Sequence, residues 1–233
     1  MVVERSKQTP TSFTPQRPPS VAIAFRTLGR TLRHGYENLW TLALVSLFWY
    51  IGAAMILPLG VVTAGLHRVT RPMTEERAAN WRDFFGSMRE DLGWSSLLAA
   101  VLALGFLLIG ININFYAGID SPLQALTILF LTFFLIWVTM ALFAYPMALR
   151  QRERRLRTTL WNAALISMGN APGVLISLIL LIMVCAVLVV VPPLFILLPG
   201  VIALWGQENA RLLLVASGYL QRDEFADRER HER

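Results

Sequence analysis

The polar side chains that sit closest together in an otherwise apolar stretch of this 233-residue chain are Gln207-Glu208-Asn209-Ala210-Arg211. Glu208 and Arg211 are three residues apart, so on a helix they share a face and can pair. Counted from Leu194, where the apolar run starts, the cluster lies about 20 Å along the helix axis, near the end of a bilayer span. The simpler expectation is a snorkelling pair where the helix leaves the membrane. The functional expectation is a polar anchor for a partner or a ligand headgroup. Gln207, Glu208, Asn209 and Arg211 are therefore the first candidate site.

A second candidate is Arg150-Gln-Arg-Glu-Arg-Arg-Leu-Arg157, where Arg150, Arg152, Arg154, Arg155 and Arg157 stand against Glu153 alone. Directly after an apolar block, such a run fixes topology and attracts anionic headgroups by about 1 kcal/mol per basic residue near the surface. Docking of an acidic partner is the alternative. Patterns for bond-making chemistry are missing. His34, His67 and His231 are isolated, Cys185 has no second cysteine, and neither a His-Glu-x-x-His metal motif, a Gly-x-Ser-x-Gly elbow nor a phosphate loop occurs. No catalytic residue, cofactor or metal is expected.

The elements that carry these groups follow from composition. Hydrophobic residues make up 55% of the chain and charged ones 15%, with a mean hydropathy of +0.54; soluble domains are nearer 25% charged. Apolar blocks of about membrane-spanning length run over residues 39–66, 93–117, 123–149 and 173–191, and from 194 onward. All 21 Lys and Arg fall in residues 1–37, 68–89, 150–157 and 211–233. Positive charge confined to the flanks of apolar blocks fits a membrane protein and argues against a nucleic-acid partner, despite the net charge of +6. The expected fold is an all-α, polytopic bundle of about five membrane helices over residues 39–57, 93–117, 123–149, 173–191 and 194–206. Pro58 and Gly60 break the first block, leaving open a single crossing or a hairpin. Residues 68–92, 150–170 and the C-terminal tail are expected to be cytoplasmic in a plasma membrane, the side of the N-terminus staying open.

Outside the spans, residues 1–19 read as a Pro-rich disordered tail without the apolar stretch of a signal peptide, and 222–233 as a charged tail. Residues 20–37 form a basic amphipathic helix: Val21, Phe25, Leu28, Leu32 and Tyr36 recur at helical spacing with Arg26, Arg30 and Arg33 on other faces. The segments 78–92 and 156–169 are expected to be interfacial helices. They repeat at an offset of 80 residues: Trp81 to Met88 aligns with Trp161 to Met168, and Gly93 with Gly173. Trp81 and Trp161 thus join the arginines as candidate lipid or partner contacts. Small-residue stripes at Ser95, Ala99 and Ala103, and at Gly60 and Ala64, permit close helix packing within one chain or in a homo-oligomer.

Blocks one to four contain no charged residue, which disfavours proton-coupled transport. Their few polar groups, Thr63, Asn112, Asn114, Thr132 and Thr139, are ordinary helix and helix-end residues.

Asn38-Leu-Trp40, the Pro/Gly-broken Leu57–Leu66, Trp81-Arg-Asp-Phe-Phe85, the amphipathic segment before the fourth block and Tyr219-Leu220 together resemble the YesL-like family of small bacterial membrane proteins, a domain family of unknown function. The resemblance covers roughly residues 25–221. It implies a plasma-membrane location and a link to carbohydrate uptake, and it supplies no catalytic residues. The expected role is non-enzymatic: accessory to a transport system such as a carbohydrate ABC transporter. A transporter subunit in its own right and a lipid-organising structural protein are the alternatives.

Overall fold

A computed structural model describes residues 20–55, 59–90, 92–151 and 155–218. Every regular element among them is helical: α1 Ser20–Glu37, α2 Leu39–Ala54, α3 Leu59–Thr74, α4 Arg82–Glu90, α5 Leu92–Ala117, α6 Leu126–Arg150, α7 Leu156–Gly169, α8 Ala171–Val190, a single turn α9 Pro192–Phe195, and α10 Leu198–Ala216. A 3-10 turn at Pro122–Ala125, capped by the Ser121 side chain on the Leu123 N–H, leads into α6. Three helices are long and apolar enough to cross a bilayer: Leu92–Ala117, Pro122–Arg150 with its turn, and Ala171–Val190. The chain is thus an apolar helical bundle suited to a membrane.

The first apolar block is not one helix. The chain is helical to Ala54 and again from Leu59. Trp49 donates to Thr63 across the pair, and Gly52 lies so close to Val62 that a Cβ there would collide with the valine. These contacts make α2 and α3 an antiparallel hairpin. Sixteen residues give each arm about 24 Å, short of the ~30 Å hydrocarbon core. Pro58 itself lies outside the described residues.

α3 then crosses the start of α5. At Gly60 a Cβ would strike the Ser95 carbonyl, and the Tyr145 hydroxyl of α6 stands 3.4 Å from the Gly60 carbonyl and 3.3 Å from that of Ser95. The small residues of α3 and α5 therefore meet each other inside one chain, with one phenol serving the junction of three helices.

α10 is the central element, touching α1, α2, α3, α6 and α8. Nearly all of it from Pro199 to Leu213 is buried. It approaches α6 at Gly206, where a Cβ would meet the Leu142 carbonyl. That carbonyl lacks its usual helical donor because the residue four further on is Pro146, which has no N–H. The proline thus exposes a carbonyl, and the glycine lets α10 close on it.

α1 has three faces. Ile23, Ala24, Thr27, Thr31 and His34 are buried against α8 and α10, Arg26 and Arg33 are exposed, and the apolar stripe of Val21, Phe25, Leu32 and Tyr36 points outward. The helix packs on the protein and keeps an uncovered apolar face. In the repeated segment, α4 followed by α5 and α7 followed by α8 keep the helix-then-long-helix order, with α7 starting and ending at the expected residues. The two copies dock differently: α4 lies on α3 with Phe84 fully buried, whereas α7 lies on α6.

Candidate functional site

The cluster on α10 is enclosed by protein. Gln207 and Glu208 have no exposed surface, Asn209 is 1% exposed and Arg211 4%. The expectation of a snorkelling pair at a helix end is corrected on this point: helices cover every side of this turn. The Asn209 amide donates to the Ser177 hydroxyl of α8 at 2.8 Å, and the Trp205 indole donates to the same oxygen at 2.9 Å. The Gln207 amide donates to the His67 carbonyl of α3 at 3.3 Å and lies 3.5 Å from the His67 ring nitrogen Nδ1. His67 in turn stacks flat on Tyr145, with ring centroids 5.4 Å apart.

The charges pair less completely. Glu208 Oε1 lies 3.3 Å from Arg30 of α1, and its Oε2 faces Arg211 at 3.7 Å without a hydrogen bond. Arg211 also donates to the Thr74 carbonyl at the end of α3. A little further out, Arg71 of α3 donates to the Leu149 carbonyl at 2.6 Å and pairs with Glu75 at 3.1 Å. At the end of α6, the Nε and Nη2 of Arg150 are buried and have no hydrogen-bond partner, within electrostatic reach of Arg71, Arg211 and Glu208. A buried guanidinium donor left unpaired is costly.

The arginine run therefore divides. Arg150, expected as a lipid or partner contact, is turned inward; Arg155 and Arg157 are exposed; Arg152 and Arg154 lie outside the described residues. Trp81 and Trp161 both face outward, the latter 64% exposed. The guanidinium of Arg82 sits 5.5 Å from the centroid of the Trp81 ring.

Two cavities open at this charged end of the bundle. One, of about 290 Å³, lies between α1 and the α3–α4 connection, beside His34, Glu37, Met73 and Arg77. In its wall the hydrogen bond from Arg33 holds the Glu37 carboxyl below the usual carboxylate range. The other, of about 600 Å³, lies between α3 and α4 and is lined by Arg68, Arg71, Arg77, Arg82 and Asp83.

Reading the sequence did not find His67, Tyr145, Ser177, Arg30 and Arg71 as partners of the cluster. A signal for two of the contributing faces was present. Thr27, Thr31 and His34 on α1, and His67, Thr70 and Thr74 on α3, recur at helical spacing as polar stripes, and such stripes within apolar surroundings need internal partners.

What the arrangement can do is limited by access. No group of three or more metal-binding side chains occurs among the described residues, and the buried carboxylate and imidazole are enclosed rather than presented to a cleft. The geometry suits holding α1, α3, α6, α8 and α10 in register. Comparison of the chain with known protein families, with curated proteins and with solved structures gives no match.

Proposed function

We propose that this chain is a non-enzymatic, multi-pass plasma-membrane protein that assists or regulates a neighbouring membrane transport complex, with a carbohydrate ABC transporter as the leading candidate. The observation that carries the reading is the burial of Gln207, Glu208, Asn209 and Arg211. The polar groups a transport pathway would need are used as internal ties, while the exposed chemistry is arginine-rich and lies at one end. The resemblance to the YesL-like family points the same way.

In this reading α5, α6, α8 and α10 cross the bilayer and the α2–α3 hairpin supplies the remaining membrane element. A hairpin returns the chain to the side it left. The N-terminal tail then joins residues 68–92, 150–170 and the C-terminus on the cytoplasmic side, in accord with the positive-inside rule. The outward stripe on α1 and the exposed faces of α4 and α7, with Trp81 and Trp161, lie at the headgroup level.

The test is purification from the native membrane in mild detergent, with identification of stoichiometric partners. Transporter subunits are expected to co-purify with the native chain and to be lost when Arg152, Arg154, Arg155 and Arg157 are replaced by Gln. Recovery of the chain alone, or partners unaffected by the four substitutions, contradicts the proposal.

A further inference from the structure

The turn between α8 and α10 lies at the end of α10 away from the polar cluster, and its side chains offer nothing to water. Between Ser177 and Gln207 no residue carries a charged, amide or hydroxyl side chain. The turn is nevertheless open: Val189, Val190, Val191, Leu194 and Phe195 are exposed, Val190 by 78%. Turns that face water draw mainly on Gly, Pro, Asn, Asp and Ser. The α5–α6 turn does so, with Asn114, Asp120 and Gln124 exposed and Ser121 capping its 3-10 segment.

The backbone of the α8–α10 turn is served from inside the protein. Pro192, Pro193 and Pro199 have no N–H to satisfy. The N–H groups of Val191, Leu194, Leu197 and Val201 bond to nearby carbonyls, and that of Gly200 donates to the Ser46 hydroxyl of α2 at 3.1 Å. The Tyr50 hydroxyl of α2 donates to the Phe195 carbonyl at 2.9 Å, while the two rings stack with centroids 5.5 Å apart. The turn also stops short of its neighbour. Trp205 bonds Ser177, Gly206 meets Leu142, and Tyr145 reaches Ser95, which ties α5, α6, α8 and α10 at a shared level. From there α8 runs about 20 Å to Val190 and α5 about 33 Å to Ala117.

We propose that the α8–α10 turn lies within the hydrocarbon of the leaflet opposite the arginine-rich end, its open face covered by lipid acyl chains. In hydrocarbon, irregular backbone is tolerated only where protein satisfies its polar groups. The prolines, Ser46 and Tyr50 supply that condition here, and the valines, Leu194 and Phe195 give acyl chains an apolar surface. The inference rests on the reading of α8 and α10 as membrane helices.

The experiment places single nitroxide labels at Val190→Cys, Leu194→Cys, Asp120→Cys and Ile182→Cys in the full chain carrying Cys185→Ala. Each variant is reconstituted into phosphatidylcholine/phosphatidylglycerol vesicles with a water-soluble nickel chelate on both sides. Labels at 190 and 194 are expected to meet oxygen freely and to meet the chelate at least fivefold less than the label at 120. A smaller difference places the turn in water and overturns the proposal. Low access to both relaxants at 190 and 194 means that a second copy of the chain covers the turn, and overturns it as well. The label at 182, on the open face of α8, separates this failure from that of the membrane reading. If it stays shielded while 190 and 194 meet the chelate, only the embedded turn is wrong; if it meets the chelate too, α8 is not in the bilayer and both fall.

Discussion

The far half of the α5–α6 pair and the middle of α10 are built on opposite rules. From residue 103 to residue 138 no side chain is buried, and Leu104, Leu107, Leu108, Ile111, Phe115, Leu129, Phe133 and Phe134 lie open. What joins the two helices there is mainly aromatic: Phe106 against Phe134, and Tyr116 stacked on Phe130. In α10 a run of amide, carboxylate and guanidinium groups is closed off from every side. A water-soluble bundle would reverse the two, because burying apolar surface is what stabilises it in water. In a bilayer, lipid tails solvate the leucines as well as another helix does. Polar groups then gain most by finding each other inside the protein. The difference teaches that this bundle is tied at its polar end and only loosely held at its apolar one.

The comparison breaks most readily at Glu208. Its replacement by Ala removes the carboxylate that faces buried Arg211 and the one that Arg30 reaches across the bundle; removing one member of a buried pair typically costs about 3–5 kcal/mol. A large drop in the unfolding midpoint in detergent is expected, and a change within error would mean the cluster is solvated. Next in size is Gly206→Val. Its branched side chain must enter the space held by the Leu142 carbonyl, and overpacking of this kind costs about 1–3 kcal/mol. The same assay, with retention of a monodisperse elution profile, checks it.

Ser177→Ala sharpens the comparison more gently. It removes the oxygen that accepts from both Trp205 and Asn209, and stability should fall by about 1–3 kcal/mol as the two buried donors lose their acceptor. The double variant Ser177→Ala/Asn209→Leu is expected to recover part of that loss. The smallest effect belongs to the far half of the α5–α6 pair: Ile111→Ala, on an open apolar face, should shift stability by no more than about 0.5 kcal/mol, as exposed positions away from special features do. A spin label placed there in liposomes should be accessible to oxygen and shielded from a water-soluble relaxant.

Much of the scaffold was legible in residue order, for a physical reason. Blocks such as 93–117 carry a signal repeated over many residues, so α5, α6 and α8 emerge close to their expected ends. The α1 and α7 boundaries agree because amphipathic periodicity is also a distributed signal. The interruption of the first block was readable, but Gly60 lies inside α3, which is helical from Leu59, and Pro58 lies outside the described residues. The block's resolution into a hairpin rests on the approach of Gly52 to Val62 and the Trp49–Thr63 hydrogen bond, which only tertiary structure reveals. The site was half legible. Gln207 to Arg211 stood out because polar residues in an apolar run are conspicuous. Their depth was not, since burial is set by helices far away in the chain, as Arg30 and Glu208 illustrate across 178 residues. Arg150 misled for the same reason: a run of arginines reads as surface, but its first member is the last residue of a packed helix.

The central claim is that the α10 cluster is an internal tie and not the lining of an aqueous route. Reaction of single cysteines with a small, membrane-impermeant thiol reagent tests it directly, in a Cys185→Ala background reconstituted into liposomes and opened to both sides. Arg157→Cys is expected to react fully within minutes, whereas Gln207→Cys and Asn209→Cys stay unmodified until the protein is denatured. Modification of either α10 cysteine in the native protein at a rate within tenfold of Arg157→Cys would contradict the account.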